Sequence, residues 1–239
     1  MRAAAMHGCF VTGTDTEVGK TRVSAALLHW LGERGVRCAG YKPVAAGIET
    51  IDGEDVNEDV RALRDASSVV MTDAEVGPCQ FEAACAPHIA AALEGRTIER
   101  AVLLQGARTL AARAEYLIVE GVGGFCVPLG ADFDSADFAV DLQLPVVLVV
   151  GLRLGCINHA LLSAEAIRAR GLRLAGWIAN TVDTGMPHRD ANLATLRDEL
   201  GRRHQAPCLG VVPRMSSPDP AAVAACFDDA ALRALFGLA

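Results

Sequence analysis

Length, composition and charge limit what kind of protein this chain is. Its 239 residues and 25.0 kDa suit one α/β domain with a large core and are too few for two domains of ordinary size. With 51% hydrophobic and 21% charged residues it is neither disordered nor fibrous, and a net charge of −7 argues against a general nucleic-acid-binding surface.

Neither a membrane segment nor a metal-binding cysteine pattern is predicted. No apolar stretch reaches the roughly 18 residues of a spanning helix; residues 144–152 fall far short of that length. Residues 1–6 lack the apolar core of a secretory signal. The eight cysteines are scattered without a Cys-x-x-Cys pair, so we expect buried free thiols and a cytoplasmic protein.

Short apolar runs alternate with longer helical patterns along the chain. This order predicts βαβ units around a mainly parallel sheet with helices on both faces. The predicted strands are 9–12, 38–42, 116–120, 145–150, 175–179 and 209–212, and the predicted helices are 20–34, 97–113, 158–170, 189–204 and 221–235. Residues 49–82 form an acidic, irregular stretch that we expect to cover the ligand-binding edge of the sheet. With no repeat and no flexible linker, residues 1–239 are predicted to form one domain.

The loop Gly13–Thr21 lies between the first predicted strand and the first predicted helix. Backbone N–H groups at such a helix start and the helix dipole both favour a phosphate. Lys20 adds a mobile charge, and Thr21 supplies a hydroxyl suited to Mg²⁺. Five residues, rather than the usual four, separate Gly13 from Gly19. A plain strand-to-helix turn is the alternative, but the flanks favour a P-loop NTPase-like α/β fold.

Only two lysines occur in the chain, against twenty arginines, and each lies in a segment that we interpret as an active-site loop. Lys20 is in the phosphate loop, and Lys42 ends the second predicted strand and begins the stretch Lys-Pro-Val-Ala-Ala-Gly. A compact ammonium can approach a transferring phosphoryl group or a small anion where a planar guanidinium fits less well. Chance is the competing explanation. We interpret both lysines as site residues.

Three more polar positions are candidates for binding. Glu120 ends a hydrophobic strand and opens a glycine-rich loop at 121–124, where a carboxylate would face the ligand crevice and could hold Mg²⁺. Asn180 ends another apolar strand, where reading a nucleotide base and forming a turn are equally consistent with the sequence. Asp59 lies in an acidic run, a pattern that is usually only solvated surface.

Five segments together resemble the dethiobiotin synthetase family, in the same order from about residue 10 to residue 213. They are 12–21, 41–47, 120–124, 155–159 and 177–180. The resemblance implies ATP-dependent ring closure of 7,8-diaminononanoate with CO₂, supplied from bicarbonate, giving dethiobiotin, ADP and phosphate. It also implies Mg²⁺ as cofactor and a homodimer with its active sites at the interface.

The resemblance also implies roles for individual residues. Lys20, Lys42 and Thr16 would hold the carbamate and the transferring phosphate, and Thr21, Asp59 and Glu120 would organise Mg²⁺. The expected nucleotide-binding residues are Glu17, Val18, Gly19, Lys20, Thr21, Asp59, Glu120, Gly121, Val122, Gly123, Asn180, Thr181, Pro213, Arg214 and Met215. The expected substrate contacts are Thr16, Lys42, Ala46, Gly155, Cys156, Ile157 and Asn158. The last four begin a predicted helix, whose free N–H groups suit a carboxylate reaching across the dimer.

Two positions depart from the family pattern. Ala46 stands where the family commonly has serine, which removes one hydroxyl near the carbamate. Near Asn192 the family often has a tyrosine close to the substrate, although the alignment there is loose. Slower turnover or a shifted substrate preference is the expected consequence if nothing compensates.

Two other functions are compatible with a phosphate loop. A P-loop amidoligase of the cobyrinate type normally carries a glutaminase domain, for which this chain has no room. A ParA- or MinD-like ATPase switch has an additional lysine early in the loop, where this chain has Thr14 and Asp15. Such switches also tend to carry a membrane helix or a basic face, and the sequence predicts neither.

Overall fold

The computed structural model describes residues 6–51, 53–216 and 219–239. Its strands are β1 (Gly8–Gly13), β2 (Cys38–Tyr41), β3 (Val44–Ala46), β4 (Glu49–Ile51), β5 (Glu54–Val56), β6 (Cys79–Phe81), β7 (Tyr116–Glu120), β8 (Val146–Leu152), β9 (Leu174–Thr181) and β10 (Cys208–Val212). Its helices are α1 (Lys20–Gly32), α2 (Glu58–Ala66), α3 (Asp73–Val76), α4 (Pro87–Leu93), α5 (Arg100–Ala111), α6 (Ser135–Leu142), α7 (Cys156–Ala169), α8 (Arg189–His204), α9 (Pro220–Ala224) and α10 (Asp229–Phe236).

A six-stranded parallel sheet with the order β10-β9-β8-β1-β7-β2 forms the centre of the fold. Strand β1 lies between β7 and β8, so that Phe10 pairs with Val119 on one side and Val146 on the other. The chain runs outward to β2 after β1 and toward β10 after β7. The order therefore reverses next to β1, and a ligand crevice is expected at the carboxyl ends of these strands.

Helices bury both faces of the sheet, which is why its strands read as continuous apolar runs. Every residue of β8 is buried. Helix α1 packs on β2 and β7 and contacts α2 and α9, whereas α5 contacts α6 and α7 contacts α8. Because crossovers between parallel strands are almost always right-handed, this strand order is expected to place α5 to α8 on the face opposite α1. The prediction of a mainly parallel sheet with helices on both faces is confirmed. Within the described ranges, no helix is long and apolar enough to cross a membrane.

Residues 49–82 are not irregular, contrary to the prediction. They contain the β4–β5 hairpin, two helices and β6, which pairs with β3 in a small parallel sheet. The Asn57 side chain accepts a hydrogen bond from the Val60 N–H at 3.2 Å and starts α2. Gly40 in β2 lets α2 approach, because a Cβ atom there would lie 2.9 Å from the Cβ atom of Leu63. These contacts set Asp59, in the first turn of α2, beside the end of β2.

The predicted helix 221–235 is wrong as one element, because the chain breaks it into α9 and α10. At the break, Phe227 bridges to Gly210 of β10, and the Asp228 N–H donates to the Leu209 carbonyl at 2.8 Å. The Asp228 side chain then accepts from the Ala231 N–H at 2.9 Å and caps α10. Helices α4 and α6 were also not predicted from the sequence.

Candidate active site

A cleft of about 830 Å³ opens at the carboxyl ends of the central strands. It gathers half of the residues predicted to form the site, from four separate parts of the chain. The predicted residues that line it are Thr16, Glu17, Gly19, Lys20, Thr21, Lys42, Ala46, Asp59, Glu120, Val122 and Gly123. A neighbouring cavity of about 820 Å³, between α1, α2 and α9, shares Thr21 and Asp59 with it.

The phosphate loop leads into an uncapped helix start. Gly19 precedes α1 in the left-handed region, at φ 91°, and no side chain of the described residues caps this helix. Its first N–H groups are therefore available to an anion. The Lys20 side chain is buried, and its Nζ donates to the Asp15 carbonyl at 3.1 Å. Burial, followed by repulsion from Lys42, lowers the pKa of Lys20 to about 8. The group is therefore mainly protonated at neutral pH.

Asn180 at the end of β9 is hydrogen-bonded to the phosphate loop. Its side chain is buried, and its Nδ2 donates to the Val18 carbonyl at 2.8 Å. Its Oδ1 is buried and has no hydrogen-bond partner among the described residues, and the same holds for the Thr181 hydroxyl. The end of β9 is thus tied to the loop that would hold the nucleotide. The predicted contact of Asn180 and Thr181 with the base stays a prediction.

Replacement of Gly19 by alanine is expected to weaken nucleotide binding by about tenfold or more. A Cβ atom at this position would lie 2.3 Å from the Asn180 Nδ2. The alanine would also have to adopt the positive φ of Gly19, which strains an L-residue. Calorimetric titration with ADP measures the loss. Gly32→Ala is the matched control, because a Cβ atom there meets nothing within 4 Å. Equal affinities for both variants would contradict the tight contact.

Lys42 lies between two carboxylates at the base of the cleft. Its buried Nζ donates to the Glu120 Oε1 at 2.6 Å and to the Asp59 Oδ2 at 2.8 Å. Thr21 completes the cluster, since its Oγ1 lies 2.8 Å from the Glu120 Oε1 and 2.5 Å from the Asp59 Oδ1. These four side chains come from four separate segments of the chain, and the fold brings them into contact.

The charges of this cluster stabilise one another. Burial alone would lower the pKa of Lys42, but Glu120 and Asp59 outweigh it and raise that pKa above its ordinary value. Burial would likewise raise the pKa of Asp59, but Lys42 and the Thr21 hydroxyl hold it below its usual value. The ammonium and the Asp59 carboxylate are therefore both charged at neutral pH.

The donor set of this cluster suits Mg²⁺. The described residues contain no group of three or more His, Cys, Asp or Glu side chains that could hold a metal. Mg²⁺ does not need such a group, because one or two carboxylates, waters and substrate phosphates commonly complete its shell. Glu120 Oε2 is buried without a hydrogen-bond partner among the described residues, so one carboxylate oxygen is free for a cation. Thr21, Asp59 and Glu120 thus fit the metal.

Some predicted residues lie outside this cleft. Gly155 precedes α7 with φ 95°, and none of the residues 155–158 is among those that line the cleft. Residues 213–215 follow β10 and also do not line it. Burial and then the nearby Arg214 charge lower the pKa of Arg22, a residue of the cleft wall. Asn192, in the first turns of α8, donates to the His188 carbonyl at 2.9 Å.

One wall of the cleft, formed by residues 84–87, contains no residue that the sequence analysis assigned to the site. This loop lies opposite Ala46 because β6 pairs with β3, with Ala46 in register with Phe81 and the Gly47 N–H donating to the Phe81 carbonyl at 3.0 Å. Cys85 in this loop carries an exposed free thiol. A pairing between two three-residue strands leaves almost no periodic signal, so this wall could not be found from the pattern.

Known proteins share both the sequence and the fold. The family described as an AAA domain (AAA_26) matches residues 7–222. The ATP-dependent dethiobiotin synthetase BioD of Janthinobacterium sp. (strain Marseille) is 52% identical over 228 residues, which cover 94% of this chain and 95% of that relative. The chain belongs to the dethiobiotin synthetase family. The predicted family and its enzyme class, a ligase, are confirmed.

Two solved structures share the fold at much lower sequence identity. A chain of the MinC:MinD cell division protein complex of Aquifex aeolicus has a TM-score of 0.56 at 16% identity, covering 98% of this chain and 97% of that chain. A ParA family ATPase from Chlorobium tepidum TLS has a TM-score of 0.51 at 13% identity, covering 89% and 86%. At these identities the likeness concerns the fold alone. It confirms the predicted P-loop NTPase-like class, whereas family membership separates the chain from the switch ATPases.

Proposed function

We propose that this protein closes 7,8-diaminononanoate with CO₂ to dethiobiotin, using ATP and releasing ADP and phosphate. The observation that carries the proposal is the meeting of Lys20 and Lys42 with Thr21, Asp59 and Glu120 in one cleft. A phosphate loop alone would suit any nucleotide hydrolase. The second lysine, buried among carboxylates beside the loop, suits a second anion next to the γ-phosphate.

The reaction needs two anions to be brought together. One amine of the substrate adds to CO₂ and loses a proton, which gives a carbamate. A carbamate oxygen attacks the γ-phosphorus of ATP, and ADP leaves. The second amine then attacks the carbonyl carbon of this mixed anhydride and loses a proton, and phosphate leaves as the cyclic urea closes. Phosphoryl transfer depends mainly on positioning and on charge neutralisation.

The chain supplies that neutralisation from two sides. Lys20, at the start of α1, is within reach of phosphates bound by the loop N–H groups. Lys42 approaches from the end of β2, and Thr16 presents an exposed hydroxyl to the same cleft. We assign the carbamate and the transferring phosphoryl group to these three side chains. Ala46 lines the same wall, and its missing hydroxyl leaves Thr16 as the hydroxyl of this group.

Thr21, Asp59 and Glu120 would hold Mg²⁺, which neutralises phosphate charge when bound. The Lys42 ammonium and a metal ion compete for the same two carboxylates. With a metal held there, the Lys42 ammonium would instead neutralise the carbamate. Removal of Mg²⁺ by a chelator is expected to abolish product formation while leaving the protein folded.

We also propose a homodimer whose interface completes the site. Residues 155–158 begin α7 without a side-chain cap among the described residues, which suits a carboxylate, yet they lie outside the cleft of their own chain. Leu154 and Leu162 beside them are 81% and 62% exposed. A second copy that covers these leucines would bring the start of its α7 to the distal end of the substrate. The eight free thiols support a reducing cytoplasm as the compartment.

Replacement of Leu162 by aspartate is expected to give a monomer that still binds nucleotide but makes little dethiobiotin. The new charge would be buried against the partner, whereas the phosphate loop would be untouched. Light scattering after size-exclusion chromatography gives the mass, and ADP titration tests the loop. Val70→Asp is the control, since Val70 is 90% exposed on another surface. A fully active monomer would contradict the shared site.

The decisive experiment for the function is a complete reaction with purified protein, ATP, Mg²⁺, bicarbonate and 7,8-diaminononanoate. Mass detection of dethiobiotin, with each component omitted in turn, gives the answer. Product that depends on every component supports the proposal. ATP turnover without dethiobiotin would refute it and favour an amidoligase or a switch ATPase instead.

A further inference from the structure

Asp15 puts a negative charge into a loop that binds a polyanion. Its Oδ1 accepts the Thr16 N–H at 2.8 Å, and its backbone carbonyl accepts the Lys20 Nζ at 3.1 Å. Its Oδ2 accepts a hydrogen bond from the Arg153 Nη2, which forms an ion pair. Asp15 therefore contacts both loop residues that we assign to the phosphoryl group. None of these contacts was expected from the sequence.

The end of β8 forms a support for this loop. The Thr14 N–H donates to the Val149 carbonyl at 2.9 Å, and the Gly151 N–H donates to the Thr14 hydroxyl at 3.4 Å. Arg153 follows two residues later and contacts Asp15. Val149 and Gly151 thus hold the loop through backbone groups of β8, and Arg153, just past the end of the strand, contacts it through its side chain. Arg153 adds the one ion pair among these contacts with the loop.

The ion pair contributes little to the stability of the fold, but it is expected to contribute much more to the binding of an anionic ligand. The side chains of Arg153 and Asp15 are 42% and 45% exposed, so water screens the pair and its contribution to stability is small. A nucleoside triphosphate carries several negative charges, each of which would be repelled by an unpaired Asp15 carboxylate. Pairing with Arg153 removes that repulsion at the loop itself.

We propose that Arg153 is a positioning residue for nucleotide binding, acting through Asp15. It neutralises the Asp15 carboxylate, which accepts the Thr16 N–H, in the residue whose backbone carbonyl accepts the Lys20 ammonium, and so prepares the loop for a triphosphate. The inference rests on the proposed function for its nucleotide. The proposal adds Arg153 to the site as a residue that contacts neither ATP nor the diamine directly.

Rescue by a second substitution tests this role. In Arg153→Ala the unpaired carboxylate is expected to raise the Kd for ADP and the KM for ATP by about tenfold, with a smaller change in kcat. In the double variant Arg153→Ala with Asp15→Asn, the charge is gone while the amide oxygen can still accept the Thr16 N–H. Affinity should return to within about threefold of the original. Arg100→Ala is the matched control, because Arg100 is also 42% exposed and pairs with Asp141 away from the cleft.

The measurements are calorimetric titration with ADP, steady-state kinetics and thermal unfolding. Melting temperatures of the Arg153 and Arg100 variants should agree within a few degrees, since both lose one exposed pair. Unchanged ADP affinity in Arg153→Ala, or no recovery in the double variant, would overturn the proposal. If Arg153→Ala does not fold, Arg153→Lys decides, because it keeps the charge and should bind ADP within about threefold of the original. Absence of dethiobiotin formation by the unmodified protein would refute the reaction but would not affect the ADP rescue.

Discussion

Replacement of Lys42 by methionine is expected to reduce the rate of dethiobiotin formation by about 10²–10³-fold, the usual effect of removing one group that stabilises transition-state charge. Methionine keeps much of the length of the buried stem but has no ammonium. The carbamate and the phosphoryl group would then meet without the cation that lies 2.6 Å from Glu120 and 2.8 Å from Asp59. Mass detection of dethiobiotin under saturating ATP and substrate measures the loss.

The same substitution has a structural effect that must be measured separately. Glu120 is fully buried, and without Lys42 its carboxylate loses its only cationic hydrogen-bond partner among the described residues. Removing one member of a buried ion pair typically costs about 3–5 kcal/mol of stability. Mg²⁺ is expected to raise the melting temperature of Lys42→Met more than that of the original protein, because the metal no longer competes with the ammonium. A variant that melts normally and keeps full activity would refute the role of Lys42.

The sheet and the phosphate loop could be predicted because their signals are local. Each central strand is a short apolar run, and the loop Gly13–Thr21 carries its glycines, lysine and threonine in one stretch. Helix α1 begins at Lys20, as predicted, and α8 has the predicted bounds. Burial on both faces gives such strands a pattern that needs no knowledge of the partner.

The part of the site around Asp59 could not be predicted from local patterns. The acidic run at 54–59 looks like solvated surface, and only the Asn57 cap and the close approach at Gly40 bring α2 to the end of β2. The resemblance to the family selected Asp59 where the physical argument did not. The C-terminal error has a similar cause, because the break between α9 and α10 depends on contacts with β10, far away in the sequence.

Residues 155–158 illustrate a different limit. The sequence correctly places them at the start of a helix, and α7 begins at Cys156. In the proposed homodimer, however, their ligand would lie in the cleft of a second copy, so that no contact within one chain would reveal it. The resemblance supplied this expectation, and the exposed Leu154 and Leu162 are the local features that agree with it.

Replacement of Lys20 tests the observation that the chain keeps two lysines among twenty arginines. Lys20→Ala is expected to lower kcat by about 10²–10³-fold, because the phosphoryl group loses the charge at the start of α1. Lys20→Arg restores the charge but not the shape. The lysine is only 7% exposed, and its Cδ atom packs close to Gly13, 3.2 Å from where a Cβ atom would be. A planar guanidinium does not fit this space equivalently, so we expect Lys20→Arg to recover less than a tenth of the lost rate.

The comparison of these two variants separates charge from geometry. ADP titration and thermal unfolding show whether each variant is folded, and mass detection of dethiobiotin gives the rate. Full recovery in Lys20→Arg would mean that any cation suffices, and that the two lysines survive by chance among the arginines. Full activity in Lys20→Ala would show that the reaction does not need the Lys20 side chain of the phosphate loop. If both variants lose the rate of dethiobiotin formation but keep ADP binding, the reaction requires a compact ammonium at the point where the phosphoryl group is transferred.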